Sequence, residues 1–351
     1  MGVITLKYNL DRLIVPIGTL MNEIEYGTTF ALYRDREDTI PLQGSGLRWT
    51  SWKTEGKSLI IEVNDDFLEN DYIFEKLLVV FLYNLLDFGE LRLISIDLSK
   101  SCYLQRANAH QQKVPKCFRL LRKDSMLGTI LKPYYHLSLA QKIEMAKKFT
   151  SMGINLLKED ETFFASEARL LEEARAIQAT IEGNGNYIPN VTHYVHNYQV
   201  IEKLLDSGIE IVMIDFLVTG FRPILGLKQK FPEICIWGHR VGYWSLEKFI
   251  SMKALGTLAV LAGVDFLHIG TPTNRKDSKD RLQLVSCLRT IKPQFVPVFT
   301  KTTPEILAEI VSLFDGTTVS MACGYFRDDR GTINWEKVQG WVAAAQGVWV
   351  E

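Results

Sequence analysis

One rhythm constrains this chain more than any other feature. From Met126 onward, short β-branched or apolar runs begin near Met126, Gly153, Tyr187, Glu210, Ile234, Val264, Phe295 and Thr317. Between them lie stretches with helical spacing, as over Leu139–Phe149, Ala165–Ile181, Leu246–Leu261 and Pro304–Leu313. Parallel strands need such crossovers, because the chain must return to the same end of the sheet before pairing again. Eight repeats of the unit predict a closed (β/α)8 TIM barrel over residues 113–351. An open doubly wound sheet shares the alternation, but its G-x-G-x-x-G phosphate loop after the first strand is missing.

Residues 1–112 read as a separate α+β domain of ferredoxin-like type. Ser58–Val63 is a β-rich run ended by the turn-prone Asn64-Asp65-Asp66, Ile73–Leu86 has an apolar helical face, and Glu90–Leu98 alternates as a strand. The polar stretch Ser99–Val114 marks the boundary. At 351 residues and 47% hydrophobic, the chain can fill both cores. A formal net charge of -1 argues against a nucleic-acid partner. Five scattered cysteines without a C-x-x-C pair suit reduced thiols. The opening MGVITLKYNLDRL has neither a signal-peptide pattern nor a myristoylation signal, and no apolar run is long enough for a membrane span. A soluble, cytoplasmic protein with no membrane partner is expected.

Barrel active sites are built at the C-terminal ends of the strands. Those ends carry Lys132 after strand one, Lys158-Glu159-Asp160-Glu161 after strand two, Asn190, Asp215, His239-Arg240 and His268. In a strand, Lys158 and Asp160 point one way and Glu159 the other; Glu161 can turn inward as the backbone leaves the sheet. A run of charges is usually a solvated face. Two carboxylates aimed at one point, however, suit Mg2+, and a lysine carrying CO2 as a carbamate would add a third anionic oxygen. Asn190 and Asp215 either support such a site or cap strand ends. His193 and His196 lack a third ligand, Cys323 lacks a partner that would activate it, and Trp335, Trp341 and Trp349 are expected to pack the last helix onto the barrel.

These motifs carry a resemblance. Gly153–Glu161 resembles the RuBisCO motif G-x-D-F-x-K-D-D-E, and Gly128–Pro133 its strand-one G-T-I-x-K-P. Gly238–Gly242 resembles the strand-five H-R segment and Leu261–Thr271 the strand-six segment. The chain is therefore identified as similar to the RuBisCO-like proteins. The resemblance implies Mg2+ held by carbamylated Lys158, Asp160 and Glu161, with Lys132, Lys158 and His239 as catalytic groups. It implies substrate contacts from Arg240 and His268 (the cations of a second phosphate site), Thr300 and Gly324. Glu23-Ile24-Glu25-Tyr26-Gly27-Thr28 resembles the family's E-x-x-x-G-T loop, and Asn84 matches its N-terminal asparagine. In the family these residues close a partner's site, so Glu23, Thr28 and Asn84 imply a homodimer with shared active sites.

Departures from the family pattern set the expected reaction. Pro133 is followed by Tyr134 rather than Lys, Tyr243 replaces a second histidine, Thr29 replaces a tryptophan, and Arg275 stands at the mobile-loop lysine. The glycine-rich turns after strands seven and eight are Phe299-Thr300-Lys301-Thr302 and Ala322-Cys323-Gly324, where side chains crowd a backbone anion nest. Lys301 with the Thr300 and Thr302 hydroxyls offers another way to hold an anion. Carboxylation needs several placed acids and bases, while enolisation needs the first step alone. An enolase or isomerase acting on a sugar-type carbonyl compound, with one phosphate or another anion, is expected, as in methionine salvage. The alternatives are a decarboxylase or C–C lyase on an acid sugar, and a non-catalytic descendant.

Overall fold

A computed structural model describes residues 2–20 except 12 and 19, 50–64, 74, 77, 78, 82, 91–101, 103, 104, 126–133, 136–160, 165–272, 275–314, 317–328 and 331–347. Two compact units form: Met1–His110 with Gly242–Leu258, and Gln111–Val241 with Ala259–Glu351.

The first unit holds a four-stranded antiparallel sheet built from β1 (Val3–Asn9), β2 (Thr50–Glu55), β3 (Ser58–Asn64) and β4 (Arg92–Lys100), in the order β2–β3–β1–β4. Central β1 pairs Leu6 with Ile61 of β3 and with Ile96 of β4. Its alternating Ile4, Leu6 and Tyr8 are buried, a period of two that places one face against the core. Gly242–Leu258 joins this unit through backbone bonds: Leu93 N donates to Phe249 O at 2.8 Å and Ser251 N to Leu93 O at 2.9 Å. The helix expected over Ile73–Leu86 lies largely outside the described residues.

The second unit is the expected parallel barrel. Its strands are β5 (Met126–Ile130), β6 (Leu156–Lys158), β7 (Asn186–Ile188), β8 (Ile211–Asp215), β9 (Cys235–His239), β10 (Phe266–His268), β11 (Val296–Thr300) and β12 (Val319–Met321), in the order β7–β6–β5–β12–β11–β10–β9–β8. The ring closes between β7 and β8 by a bridge, with Met213 N donating to Pro189 O at 2.8 Å and Val191 N to Met213 O at 2.9 Å. Met126, Leu156, Ile188, Met213, Trp237, Phe266, Val298 and Val319 fill the interior, with Trp237 stacked on Phe266 at 5.5 Å. Burying each such side chain contributes about 1.5–3 kcal/mol, so the barrel interior is a packed core and chemistry is left to the ends of the strands.

Local chemistry sets the crossovers. Ser138 caps α1 (Leu139–Ser151): its hydroxyl accepts from Gln141 N, and Gln141 Oε1 accepts from Ser138 N at 2.8 Å. Gly153, at φ 95°, ends the helix in the left-handed conformation and sends the chain into β6. After β10 comes α8 (Arg275–Ile291), preceded in chain order by α2 (Glu167–Ile181), α3 (Tyr198–Asp206), α4 (Phe216–Thr219), α5 (Arg222–Lys230), α6 (Tyr243–Leu246) and α7 (Met252–Ala262). α9 (Pro304–Leu313) and α10 (Trp335–Ala345) complete the chain. Trp341 is fully buried against Phe326 and Trp335 packs on Phe149 at 5.0 Å, as expected of the last helix; Trp349 lies outside the described residues. Cys287 and Cys323 are free thiols, but Cys235 is disulfide-bonded, which corrects the expectation of reduced cysteines throughout.

Candidate active site at the barrel mouth

Strand β6 delivers the richest cluster. Lys158 is fully buried, and its Nζ donates to Glu159 O at 2.9 Å and to Met213 Sδ at 3.1 Å, which ties it to β8 across the interior. Asp160 stands one-tenth exposed with the Lys132 ammonium at 3.2 Å from its Oδ2. Glu159 turns the other way, as strand alternation requires, and accepts from Asn190 N at 2.5 Å. Asn190 in turn accepts from the Thr192 hydroxyl at 2.7 Å. Glu159 and Asn190 thus shape the backbone behind the cluster rather than face its front.

Strands β8, β9 and β10 bring a second group. Asp215 Oδ2 lies 2.9 Å from His239 Nδ1 and accepts from Val241 N at 2.9 Å, while its Oδ1 accepts from Leu217 N at 3.2 Å. Asp215 therefore caps α4 and orients His239 at once. Carboxylate oxygens only accept, so His239 carries its proton on Nδ1 and turns Nε2 away from Asp215. The His239 and His268 rings meet edge to face at 5.0 Å.

His268 is not the cation the sequence suggested. Trp237 Nε1 donates to its Nε2 at 2.7 Å, and an indole N–H can only donate. Nε2 is consequently unprotonated and His268 is neutral, with its hydrogen on Nδ1. The same outcome follows from electrostatics. Burial pushes the imidazole well below its usual range, and His239, Lys158 and Arg240 add to the effect. Sequence reasoning missed Trp237 because an apolar residue in a barrel strand reads as core. Arg240 is anchored beside it, its Nε donating to His268 O at 2.5 Å.

The two remodelled turns behave differently from a backbone nest. Lys301 adopts φ 57°, a left-handed conformation that costs an ordinary side chain roughly 1–2 kcal/mol. Thr302 is fully buried and its hydroxyl donates to Met321 O at 3.0 Å, so it is directed into the wall and not at a ligand, against expectation. Thr300 N donates to Thr271 Oγ1 at 2.8 Å. Gly324 opens a 3-10 turn, Gly324–Phe326, without a left-handed backbone. Cys323 Sγ lies 3.8 Å from Ile130 O, and His193 Nε2 is 3.0 Å from Ala165 O. Glu23, Thr28, Asn84 and Glu161, together with Thr29 and Tyr134 and the side chains of Arg275 and Lys276, lie outside the described residues.

The donor chemistry fits a hard cation in part. Asp160 presents carboxylate oxygen that already attracts the positive charge of Lys132. Among the described residues no three His, Cys, Asp or Glu side chains converge on a metal position, and the third oxygen donor named by the sequence, Glu161, is not among them. No helix among the described residues is long and apolar enough to cross a membrane.

Comparison with known proteins agrees with this architecture. Residues 113–298, more than half of the chain, match the family description "Ribulose bisphosphate carboxylase large chain, catalytic domain". A protein named ribulose bisphosphate carboxylase from Methanocaldococcus jannaschii is 29% identical over 175 residues, 46% of this chain and 41% of that one. The chain spans about half the length, or less, of the curated relatives it matches. Among solved structures, a dimeric archaeal Rubisco from Hyperthermus butylicus superposes with a TM-score of 0.75 at 20% identity, covering 99% of this chain and 91% of that one. A rubisco-like protein from Burkholderia fungorum superposes with a TM-score of 0.74 at 18% identity, covering 100% and 96%. At these identities the superpositions speak to fold alone.

Proposed function

The chain belongs to the ribulose bisphosphate carboxylase large-chain family, and from that premise we propose that it is a magnesium-dependent enolase or isomerase of a sugar-type carbonyl compound, and not a carboxylase. One observation carries the reading: the acid–base groups of a proton transfer converge at the mouth, while the turns that would cradle a bisphosphate carry side chains. Lys132 with Asp160, and Asp215 with His239, are the retained groups. Lys301 and the wall-bound hydroxyl of Thr302 are the altered ones.

Mg2+ would be held by Asp160, Glu161 and Lys158 as its CO2 carbamate. When bound it supplies Lewis-acid polarisation of the substrate carbonyl. Asp160 would hold the ion through the carboxylate whose Oδ2 faces Lys132 at 3.2 Å, and Lys132 Nζ would then be available to the substrate. The base that takes the proton next to the carbonyl is Lys132 Nζ or the modified Lys158. His239, held through Nδ1 by Asp215, moves a proton at Nε2 to or from the neighbouring oxygen. Arg240 faces the substrate's anionic group, and His268 offers it an N–H without charge. Glu23, Thr28 and Asn84 of a second copy would complete the site, in line with the dimeric state named for the Hyperthermus butylicus structure. Light scattering that finds only monomer would remove that part of the reading.

The test is solvent deuterium exchange. The protein is incubated with Mg2+ and bicarbonate in D2O against a panel of aldose and ketose phosphates and methylthio-sugar intermediates, and the carbon beside the carbonyl is followed by NMR. Exchange that vanishes in Lys158→Ala is the expected result. A panel that yields none, with Mg2+ binding intact, would overturn enolisation and favour the non-catalytic descendant.

A further inference from the structure

We propose that Thr192, in the 3-10 turn after β7, is a positioning residue that acts on His239 through Asp215. The inference rests on the reading that His239 moves a proton at Nε2, and it names the side chain that holds Asp215 in place to orient that ring.

The geometry begins where the barrel closes. In a parallel pair a residue of one strand bonds to two residues of its neighbour, and the ladder then steps on by two. Between β7 and β8 the first rung is regular: Met213 N donates to Pro189 O at 2.8 Å and Val191 N to Met213 O at 2.9 Å. The next rung of such a ladder would join Asp215 N to Val191 O. Instead the chain turns away over Thr192–Tyr194, and Val191 O accepts from Tyr194 N at 2.8 Å. The Thr192 hydroxyl takes the place of that carbonyl, its oxygen accepting from Asp215 N at 3.0 Å. Its hydrogen goes to Asn190 Oδ1 at 2.7 Å, which also accepts from Thr192 N at 3.1 Å. Asn190 is fastened in turn, its N donating to Glu159 Oε2 behind β6.

Asp215 is thus held from two sides. Its carboxylate accepts from Leu217 N, Val241 N and His239 Nδ1, all on the side of α4 and β9. Its amide is held from the β7 side by the Thr192 hydroxyl. Thr192, Asn190 and Asp215 are all buried, so an Asp215 amide deprived of this oxygen carries the full cost of an unanswered donor and the strand end shifts to relieve it. Chemistry restricts what position 192 can be. The side chain must accept from an amide and donate to a carboxamide oxygen at once, and a hydroxyl on a short stem does both. Valine has nearly the same shape and can do neither. Tyr194, in the same turn, serves a different partner, its hydroxyl donating to Ala165 O at 2.9 Å.

Nitrogen NMR of the His239 ring and hydrogen exchange of the Asp215 amide, on the full chain without metal or substrate, test the proposal. Thr192→Val is expected to speed exchange of that amide by about tenfold or more and to turn the Nδ1–H form of His239 into a mixture of tautomers. Thr192→Ser keeps the hydroxyl and is expected to match the wild type in both readouts. Tyr194→Phe removes one hydroxyl from the same turn and is expected to leave both readouts unchanged, which separates positioning from a general loosening of the turn. A His239 ring unchanged in Thr192→Val, or disturbed as much by Tyr194→Phe, overturns the assignment, and so does Thr192→Ser behaving as Thr192→Val. Should Thr192→Val fail to fold, Thr192→Cys, whose thiol is a weak acceptor, is read in its place, and a His239 signal equal to wild type is again decisive against the role. Neither readout needs turnover, so a failure of enolisation leaves this link standing, and a failure of the link leaves enolisation untouched.

Discussion

Two clusters of charge bracket the strand β10, and they are built on opposite principles. At its foot Asp265 is fully buried, its Oδ2 accepting from Ile236 N at 2.7 Å and Lys228 Nζ at 3.3 Å, with the Lys292 ammonium 2.6 Å from its Oδ1. Burial alone would raise its carboxyl, but the two ammoniums hold it below the usual range. At its head His268 is deprived of charge by burial first and then by His239, Lys158 and Arg240, and Trp237 donates to it. The foot sets one buried carboxylate against two ammoniums of the protein. At the head the lysine and arginine side chains stand beside a neutral imidazole rather than around a buried carboxylate. Barrels divide labour in this way, stability below and chemistry above.

The sharpest way to break the comparison is Asp265→Asn. Removing one member of a buried ion cluster leaves uncompensated lysines and is expected to cost about 3–5 kcal/mol by denaturant unfolding. A cost below about 1 kcal/mol would mean that the foot is not a stabilising unit.

A smaller effect follows from Lys292. Burial pulls its ammonium from the ordinary 10.5 down to about 8, with Asp265 pulling the other way. Between those two values the unfolded chain binds the proton that the folded chain has released, so stability rises with pH across that window. The burial penalty is full below pH 8 and relieved above 10.5, a change of up to about 3 kcal/mol. Unfolding measured across the window should show the rise in wild type and a flatter profile in Lys292→Met; identical slopes would refute it.

At the head the expected effects are kinetic. Asp215→Asn is expected to slow deuterium exchange by about 10- to 100-fold and to cost about 1–2 kcal/mol of stability, because His239 loses its orienting acceptor. Nitrogen NMR of His239 should report a mixed tautomer in the variant; an unchanged Nδ1–H signal would show that Asp215 does not set it. The smallest change belongs to Trp237→Phe. About 1 kcal/mol of stability is lost with the hydrogen bond, and His268 Nε2 becomes able to take a proton. If His268 stays neutral across the same pH range in that variant, burial rather than the indole decides its state.

Much of the fold was legible because spacing survives where local pattern fails. β6, β7, β10 and β12 are three residues long, too short for any periodicity, yet the helices between them announced each one. β1 alternates plainly over Val3–Asn9 and was not foreseen, since the opening segment was read only for targeting signals. Lys132, Lys158 and Asp160 could be found because a barrel sends strand ends to one place. The Asp215–His239 and Trp237–His268 bonds could not, for they join residues 24 and 31 positions apart through the stagger of neighbouring strands. That stagger is a property of the closed ring and leaves no mark in either strand alone.

The closure between β7 and β8 carries a consequence for how the ring moves. Seven of its junctions are ladders, and the eighth is a clasp made at Met213. A bracelet opens at its clasp, so the amides of Val191 and Met213 should exchange with solvent sooner than their burial suggests. Met213 also receives the Lys158 amine through its sulfur. The residue that latches the barrel is therefore the one that steadies Lys158, and a tightly held ligand beside Lys158 should slow amide exchange at the latch.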